Sequence, residues 1–94
     1  MRIAWSDPAL NDLGSLRAYI ARDNETAANR QVERILVAVS GLTDFPESGR
    51  PGRRPDTREL VVVRTRYLVA YRCNGDRIEI LRVLHSRQRW PDAL

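Results

Sequence analysis

Apolar residues recur with two different periods along this chain, and the change of period separates a helical half from a stranded half. A short first strand is predicted at Arg2–Trp5, where Ile3 and Trp5 fall on one side. Either polar residue of Ser6-Asp7-Pro8 can cap a following helix. That helix is predicted from about Pro8 to Ala21, because apolar residues follow at spacings of three and four. Its predicted stripe is Leu10, Leu13, Leu16, Arg17 and Ile20.

A second helical stripe follows Asp23-Asn24-Glu25-Thr26, a polar segment that interrupts the first pattern. The spacing again predicts one buried face with polar residues opposite. The apolar positions are Ala28, Val32, Ile35, Leu36, Val39 and Leu42. Two helices joined by so short a turn predict an antiparallel hairpin, whose apolar stripes need a sheet to cover them.

From Arg58 the period changes to two and β-branched residues become frequent, which predicts strands at Glu59–Arg64, Arg66–Arg72 and Arg77–His85. Cys73-Asn74-Gly75-Asp76 lies between the last two runs, and Asn-Gly is a strong hairpin signal. Residues 47–57 contain two Gly and two Pro and predict a loop, and residues 86–91 predict a polar tail. The predicted fold is therefore α+β: an N-terminal strand, an antiparallel helical hairpin, and a mainly antiparallel sheet with a C-terminal three-strand meander.

Strict alternation along the last strand would place its side chains on two faces. One face would hold Glu79, Leu81, Val83 and His85, and the other Ile78, Ile80, Arg82 and Leu84. Arg82 would then interrupt an apolar face, which leaves two interpretations open: a pair with Glu59 or Glu79, or contact with a target.

The length of 94 residues predicts one domain, residues 1–94, with a modest core. Cys73 is the only cysteine, which excludes an internal disulfide and a cysteine metal cluster and suits a reducing cytoplasm. The first ten residues have no apolar run of signal-peptide length, and no stretch is apolar for long enough to span a membrane. We therefore expect a cytoplasmic protein that uses neither a metal nor another cofactor.

The positive charge is carried by arginine alone and is concentrated in the C-terminal half. All sixteen basic residues are arginines. Residues 1–47 have five arginines and seven acidic residues, whereas residues 48–94 have eleven and five, which together give the formal charge of +4. Arginine binds carboxylates and phosphates through two parallel hydrogen bonds. The asymmetry predicts an anionic partner, either an acidic protein segment or a nucleic acid.

The candidate binding residues follow from this asymmetry. The loop arginines expected to meet an anionic partner are Arg50, Arg53 and Arg54. The residues expected to contact a target are Arg58, Arg64, Arg82, His85, Arg87 and Trp90. A histidine at a strand end is either a hydrogen-bonded structural residue or an acid–base group. Trp90 is either an anchor in a target interface or a cap that folds back over the sheet edge.

Several short motifs, in this order, resemble the RelE/ParE superfamily of toxins from bacterial type II toxin–antitoxin modules. They are IAWSDPALNDL, LTDFPESGRPG, TREL, YLVAYR and IEILRVLHSRQRWP. The resemblance extends over roughly residues 3 to 91. It implies a small toxin that is neutralised by an antitoxin encoded beside it, arrests growth when freed, and so stabilises a plasmid or locus.

The resemblance implies two alternative targets. RelE-like members are ribosome-dependent messenger RNA endoribonucleases, a chemistry that needs a base, an acid and cations for the phosphate. ParE-like members inhibit DNA gyrase and have no known catalytic residues of their own. The strand cations of the nuclease branch would fall at Glu59, Val61 and Leu68, none of which is basic. We therefore favour gyrase inhibition.

In the nuclease alternative, Arg64, Arg82, His85 and Arg87 are the catalytic candidates. The middle-strand tyrosine of that branch aligns with Tyr71, but the tyrosine expected just beyond Arg87 is missing.

The partner implied by the resemblance is an antitoxin whose acidic, amphipathic tail folds on the edge strand and the cationic face, in a toxin–antitoxin hetero-oligomer. A third alternative is a simple nucleic-acid-binding module with Arg50, Arg53, Arg54 and Arg58 on phosphates. A non-toxic family member that only binds its antitoxin is the remaining possibility.

Overall fold

Two helices pack on one face of a five-stranded sheet in the computed structural model, which describes residues 1–91. The strand order is β1-β5-β4-β3-β2, in which β1 runs parallel to β5 and the other neighbours are antiparallel. The elements are β1 (Arg2–Trp5), α1 (Asp7–Ala21), α2 (Glu25–Ser40), a 3-10 turn (Gly41–Thr43), β2 (Arg50–Pro51), β3 (Arg58–Val61), β4 (Tyr67–Asn74) and β5 (Arg77–His85). The predicted α+β fold and its antiparallel meander are confirmed.

Both helices begin at side-chain caps of the kind that the sequence predicts. The Ser6 hydroxyl accepts a hydrogen bond from the Ala9 amide at 3.1 Å, and Pro8 occupies the first turn of α1. The Asn24 side chain accepts from the Ala27 amide at 2.9 Å. Each cap satisfies an amide that has no partner within its own helix. Within the described residues, no helix has the length and apolar character that a membrane span requires.

The core lies between the helical hairpin and the sheet. It includes Leu16, Ile35, Val39, Leu42, Val69, Tyr71, Ile78 and Ile80. The predicted stripes are wrong at Leu10 and Leu36, which are 50% and 44% exposed. Each lies one position beyond an inward residue, Ala9 and Ile35, and one helical step is about 100° of rotation.

Strict alternation along β5 is also wrong, because the strand has a bulge. Tyr71 of β4 pairs with Ile80, while the adjacent Ala70 pairs with Arg82, so Leu81 is an extra residue on β5. Val83 therefore joins Ile80 in the core under the helices, on the face opposite to the one predicted from a period of two.

The segment predicted as a continuous loop at residues 47–57 contains β2, a two-residue edge strand. Arg50 pairs with Glu59 and Pro51 with Arg58. The hairpin between β4 and β5 is tighter than predicted, since Asn74 still belongs to β4 and Gly75 turns the chain with φ of 63°. Glycine adopts such a conformation without the steric penalty that a side chain brings.

Candidate functional site

The arginines singled out in the sequence divide into two groups in space. We call Arg50, Arg53, Arg54 and Arg58 the loop cluster. We call Arg64, Arg66 and Arg87, with His85, the turn cluster. The turn cluster forms where the β3–β4 turn meets the end of β5, since Tyr67 pairs with His85 and the Ser86 amide donates to the Arg66 carbonyl at 2.7 Å.

Glu59 neutralises much of the loop cluster. Its side chain is only 3% exposed, and its Oε1 lies 3.2 Å from Nη2 of Arg50. Its Oε2 accepts from the Arg53 amide at 2.9 Å and lies 3.9 Å from Nε of the same residue. A buried carboxylate is tolerated only when such partners compensate its lost hydration. Glu59 therefore engages two of the three predicted loop arginines.

Arg58 and Tyr71 fasten the start of the same loop. Nη1 of Arg58 donates to the Gly49 carbonyl at 2.8 Å. The Tyr71 hydroxyl donates to the Pro46 carbonyl at 2.7 Å and accepts from the Gly49 amide at 2.9 Å. The approach is so close that a Cβ on Gly49 would lie 2.7 Å from the hydroxyl oxygen. Burial raises the pKa of Tyr71, which keeps its hydroxyl protonated and able to donate.

The C-terminal tail closes the other side of the loop cluster. The Arg53 guanidinium lies 4.7 Å from the centre of the Trp90 ring, and Nη2 of Arg54 donates to the Pro91 carbonyl. Cross-strand partners share a face, so Glu59 lies with Ala70 on the side of the sheet away from the helices. Trp90 is thus folded back on the protein; its role as a target anchor stays a prediction.

Arg82 pairs with neither Glu59 nor Glu79, which corrects the structural interpretation drawn from the sequence. Its Nε and Nη2 donate to the two carboxylate oxygens of Asp12 in α1 at 2.6 and 2.8 Å. The Val83 amide also donates to Asp12, at 2.9 Å. The hydrogen bonds that Arg82 donates to Asp12 are the main cause that raises the pKa of Arg82.

This arrangement has a simple topological cause. β1 pairs with β5 only as far as Trp5 and Ile80, so the outer edge of β5 beyond that point lacks a strand neighbour. The Asp12 carboxylate fills the position of the missing strand. Glu79 is already bound by Arg72 and Arg77, at 3.0 and 3.1 Å.

The turn cluster differs from the loop cluster in the ion pairing of its arginines. Arg64, Arg66 and Arg87 are exposed, and none has a carboxylate within salt-bridge distance among residues 1–91. His85 is held in place, since its Nδ1 accepts from the Arg87 amide at 3.1 Å and its ring meets Tyr67 edge-on at 5.4 Å. The turn cluster therefore combines an oriented imidazole with three exposed arginines that have no carboxylate partner among residues 1–91.

Tyr67 belongs to this site and is not among the residues that the sequence predicted to contact a target. Its place beside His85 follows from the β4–β5 register. Counting back from the Asn74-Gly75 turn would pair Tyr67 with Leu84 instead, because the bulge at Leu81 shifts the register by one residue. Burial raises the pKa of Tyr67, and the nearby Tyr19 raises it further. The hydroxyl of Tyr67 therefore stays protonated at neutral pH.

An apolar groove, which we call the α2 groove, lies beside the turn cluster. Its volume is about 470 Å³, and its floor and sides include Val37, Val62 and Val63. Val37 and Val63 are 63% and 77% exposed, so the groove presents neighbouring apolar side chains to solvent. The rim carries Arg30, Glu33, Arg34 and Arg64. Within the part of the chain that the structure describes, no group of three or more His, Cys, Asp or Glu side chains could hold a metal ion.

Comparison with protein families matches residues 3–90 to the model described as the ParE toxin of the type II toxin–antitoxin system parDE. Two similar proteins are Y4kP of Sinorhizobium fredii and Toxin RelE2 of Caulobacter vibrioides. Y4kP is 47% identical over 93 residues, which cover 99% of this chain and 96% of Y4kP. Toxin RelE2 is 34% identical over 85 residues, which cover 90% of this chain and 94% of RelE2.

Among solved structures, the fold is similar to that of a chain described as the chromosomal ParDE TA system from P. aeruginosa. The two superpose with a TM-score of 0.81 at 27% identity, and the match covers 90% of this chain and 95% of the other.

Proposed function

The chain belongs to the family of ParE toxins of type II toxin–antitoxin systems, and on this premise we propose that it arrests growth by inhibiting DNA gyrase. As the toxin component of such a system, it has an antitoxin as its partner. Three statements about its function are proposals: that gyrase is the target, which residues contact gyrase, and which surface the antitoxin covers. A gyrase inhibitor would act in the cytoplasm and would need no catalytic residues of its own.

In the nuclease branch, basic residues occupy three strand positions that correspond here to Glu59, Val61 and Leu68. The residues at these positions support gyrase rather than messenger RNA as the target. Glu59 is a buried carboxylate, and Leu68 is 3% exposed. Val61, which pairs with Leu68, is apolar. A phosphate at this face would meet one negative charge and two aliphatic side chains, which cannot stabilise the charge of a cleavage transition state. Tyr71, the tyrosine that aligns with the nuclease branch, is 0% exposed.

The turn cluster is the best candidate for the gyrase-binding surface. Its arginines have no internal partner among residues 1–91, so binding does not first require breaking an ion pair. Arg82 suits this role less well, because it already holds Asp12 with two hydrogen bonds. Of the residues predicted to contact a target, Arg64, His85 and Arg87 therefore remain as candidates. Both arginines are exposed, and His85 is half-buried.

For the antitoxin, we infer that an acidic, amphipathic tail lies in the α2 groove. The exposed Val37 and Val63 would receive its apolar side chains, and Arg30, Arg34 and Arg64 would meet its carboxylates. The edge of β3 beyond the two residues paired with β2 is also open to an added strand.

The α2 groove can be tested with Val63→Asp, a change at an exposed position that the fold should tolerate. We expect antitoxin affinity, measured by calorimetry, to fall at least about tenfold. Phe45→Asp is the matched control, since Phe45 is 70% exposed in another part of the surface. Equal loss in both variants, or unchanged affinity after removal of the antitoxin's tail, would contradict this docking surface.

The gyrase proposal is tested by a supercoiling assay with purified toxin, gyrase and ATP, with and without antitoxin. We expect blocked supercoiling or trapped cleaved DNA, relieved by antitoxin. Arg87→Ala should weaken inhibition about tenfold, whereas Arg2→Ala, which removes the same charge from the far end of the sheet, should not. Arg82→Ala is a poor probe, because it also unpairs Asp12.

Normal supercoiling by a preparation that still arrests cells would overturn the gyrase target. Messenger RNA cleavage, which the resemblance to RelE-like toxins implies, would then be the next candidate. Mapping of transcript ends in arrested cells would test it, with Arg64, His85 and Arg87 as the first residues to substitute. Growth without any arrest would indicate a non-toxic antitoxin-binding protein.

A further inference from the structure

A cleft of about 570 Å³ opens on the helix side of the turn cluster. Its walls come from both helices, from the β3–β4 turn and from the end of β5. The residues that matter chemically are Tyr19, Gln31, Arg64, Arg66, Tyr67 and His85. The cleft thus combines aromatic rings, an amide and two guanidinium groups, and it lies across the sheet from Glu59, Val61 and Leu68.

The electrostatics of the cleft favour an anion. None of the described residues that line it is acidic. A third cation lies close by, since the Arg22 guanidinium is 5.9 Å from the centre of the Tyr19 ring. The carboxylate of Asp12, which borders the adjoining hollow, is neutralised by Arg82.

The rings of the cleft are available for stacking. Tyr19 is 68% exposed, and the Arg22 guanidinium is the cation near its ring. Tyr67 is fixed against His85 with an interplanar angle of 86°, so its ring is held at a defined orientation. The raised pKa of Tyr67 keeps its hydroxyl as a donor at neutral pH.

Arg64 shows backbone strain at the mouth of the cleft. Its φ is 63°, in the left-handed region that residues with a side chain rarely adopt. The strain is maintained by a contact from α2, because Nη1 of Arg34 donates to the Arg64 carbonyl at 3.2 Å. Glycine adopts this conformation without the cost that a side chain brings, so a glycine at position 64 would keep the turn and remove only the side chain.

We propose that this cleft binds an aromatic base that carries a phosphate, as in a free nucleotide or a single-stranded nucleic acid. The base stacks on Tyr19, and the phosphate lies between Arg64 and Arg66 at the mouth. Gln31 and the Tyr67 hydroxyl supply hydrogen bonds to the base edge or the sugar. Stacking with cationic neighbours is the general basis of single-strand binding, and it needs no particular sequence. The site does not depend on gyrase being the target.

The test is fluorescence anisotropy of the full-length protein with a labelled oligothymidylate of about ten nucleotides. Unlabelled ATP, oligouridylate and duplex DNA serve as competitors. Competition by ATP at concentrations similar to those of the oligomer would identify a mononucleotide site. Competition by the single strands alone would identify a nucleic-acid site.

Two variants and a control make the result decisive. Arg64→Gly removes the guanidinium but relieves the strain, so we expect an equal or higher Tm together with about tenfold weaker binding. Its binding should also lose about 0.7 from the slope of log affinity against log salt, the effect of one phosphate contact to a single strand. Tyr19→Ala should weaken binding about tenfold or more.

Arg2→Gln, which removes one exposed charge at the opposite end of the sheet, should change binding by less than about twofold. An equal loss in Arg2→Gln and Arg64→Gly would show attraction by net charge alone and would overturn the site. Absence of binding by the oligomers and by ATP would overturn it as well. Because gyrase is absent from the assay, either result leaves the supercoiling proposal to its own test.

Discussion

The loop cluster and the turn cluster contain the same residue type and lie within one short stretch of chain, yet they differ in what their charges can do. In the loop cluster, Glu59, backbone carbonyls and Trp90 engage the guanidinium groups. In the turn cluster, Arg64, Arg66 and Arg87 have no such acidic partner within residues 1–91.

The difference shows that the charge of a segment does not measure its capacity to bind an anion. A guanidinium that holds a buried carboxylate must leave it before it can bind another anion, and the carboxylate would then be buried without compensation. An unpaired guanidinium has only its hydration to lose. Within residues 1–91, the positively charged half therefore contains one region of arginines that are engaged in the fold and one region of arginines without a carboxylate partner.

The largest effect on this comparison is expected from Glu59→Gln, which keeps the shape of the side chain but removes its charge. We expect the free energy of unfolding, measured in urea, to fall by about 2 kcal/mol, since charge-assisted hydrogen bonds are lost at a buried site. This loss in the free energy of unfolding is smaller than for a fully buried ion pair, because Arg50 and Arg53 are 59% and 54% exposed.

Glu79→Gln is the matched control for that experiment. Glu79 also binds two arginines, Arg72 and Arg77, but its own side chain is 22% exposed, compared with 3% for Glu59. We expect a loss of about 0.5 kcal/mol. Equal losses for the two glutamates would contradict the special position of Glu59.

An intermediate effect is expected from Trp90→Ala, which removes the ring that lies against Arg53. The lost cation–π contact and packing should cost about 1 kcal/mol, which corresponds to a fall in Tm of about 4–8 °C for a domain of this size. Trp90→Phe keeps an aromatic face and should restore at least half of the difference. A Tm unchanged in Trp90→Ala would show that the tail does not stabilise the loop cluster.

The smallest effect is expected from Arg50→Gln. The side chain is mostly exposed, and Glu59 keeps its bonds to Arg53, so the loss should stay within about 0.5 kcal/mol. Arg66→Gln in the turn cluster should leave urea stability unchanged within error. A loss for Arg50→Gln as large as that for Glu59→Gln would mean that one arginine alone compensates the buried carboxylate.

Local patterns were sufficient to predict most of the elements. The caps at Ser6 and Asn24, the change of period at Arg58 and the Asn74-Gly75 turn are signals that act within a few residues. The order of the meander followed from them, since strands joined by short turns pair as neighbours. The resemblance to a toxin superfamily added the expectation of an antitoxin.

The errors concern features without a local signal. Leu10 and Leu36 look like stripe residues until the rotation of each helix is set by the sheet beneath it. The bulge at Leu81 moves Val83 to the other face, and no residue in that run marks it as a bulge. The short strand β2 exists only because β3 offers it an edge.

The sequence by itself determined the element types, the fold class, the arginine-only positive charge and its concentration in the second half, because these depend on composition and short-range periodicity. Only the tertiary structure decided which arginines remain available. Asp12 meets Arg82 across 70 positions of sequence, whereas Glu59 meets Arg50 within nine. Pairing depends on distance in space, which sequence separation does not set, and within residues 1–91 it leaves the arginines of the turn cluster without a carboxylate partner.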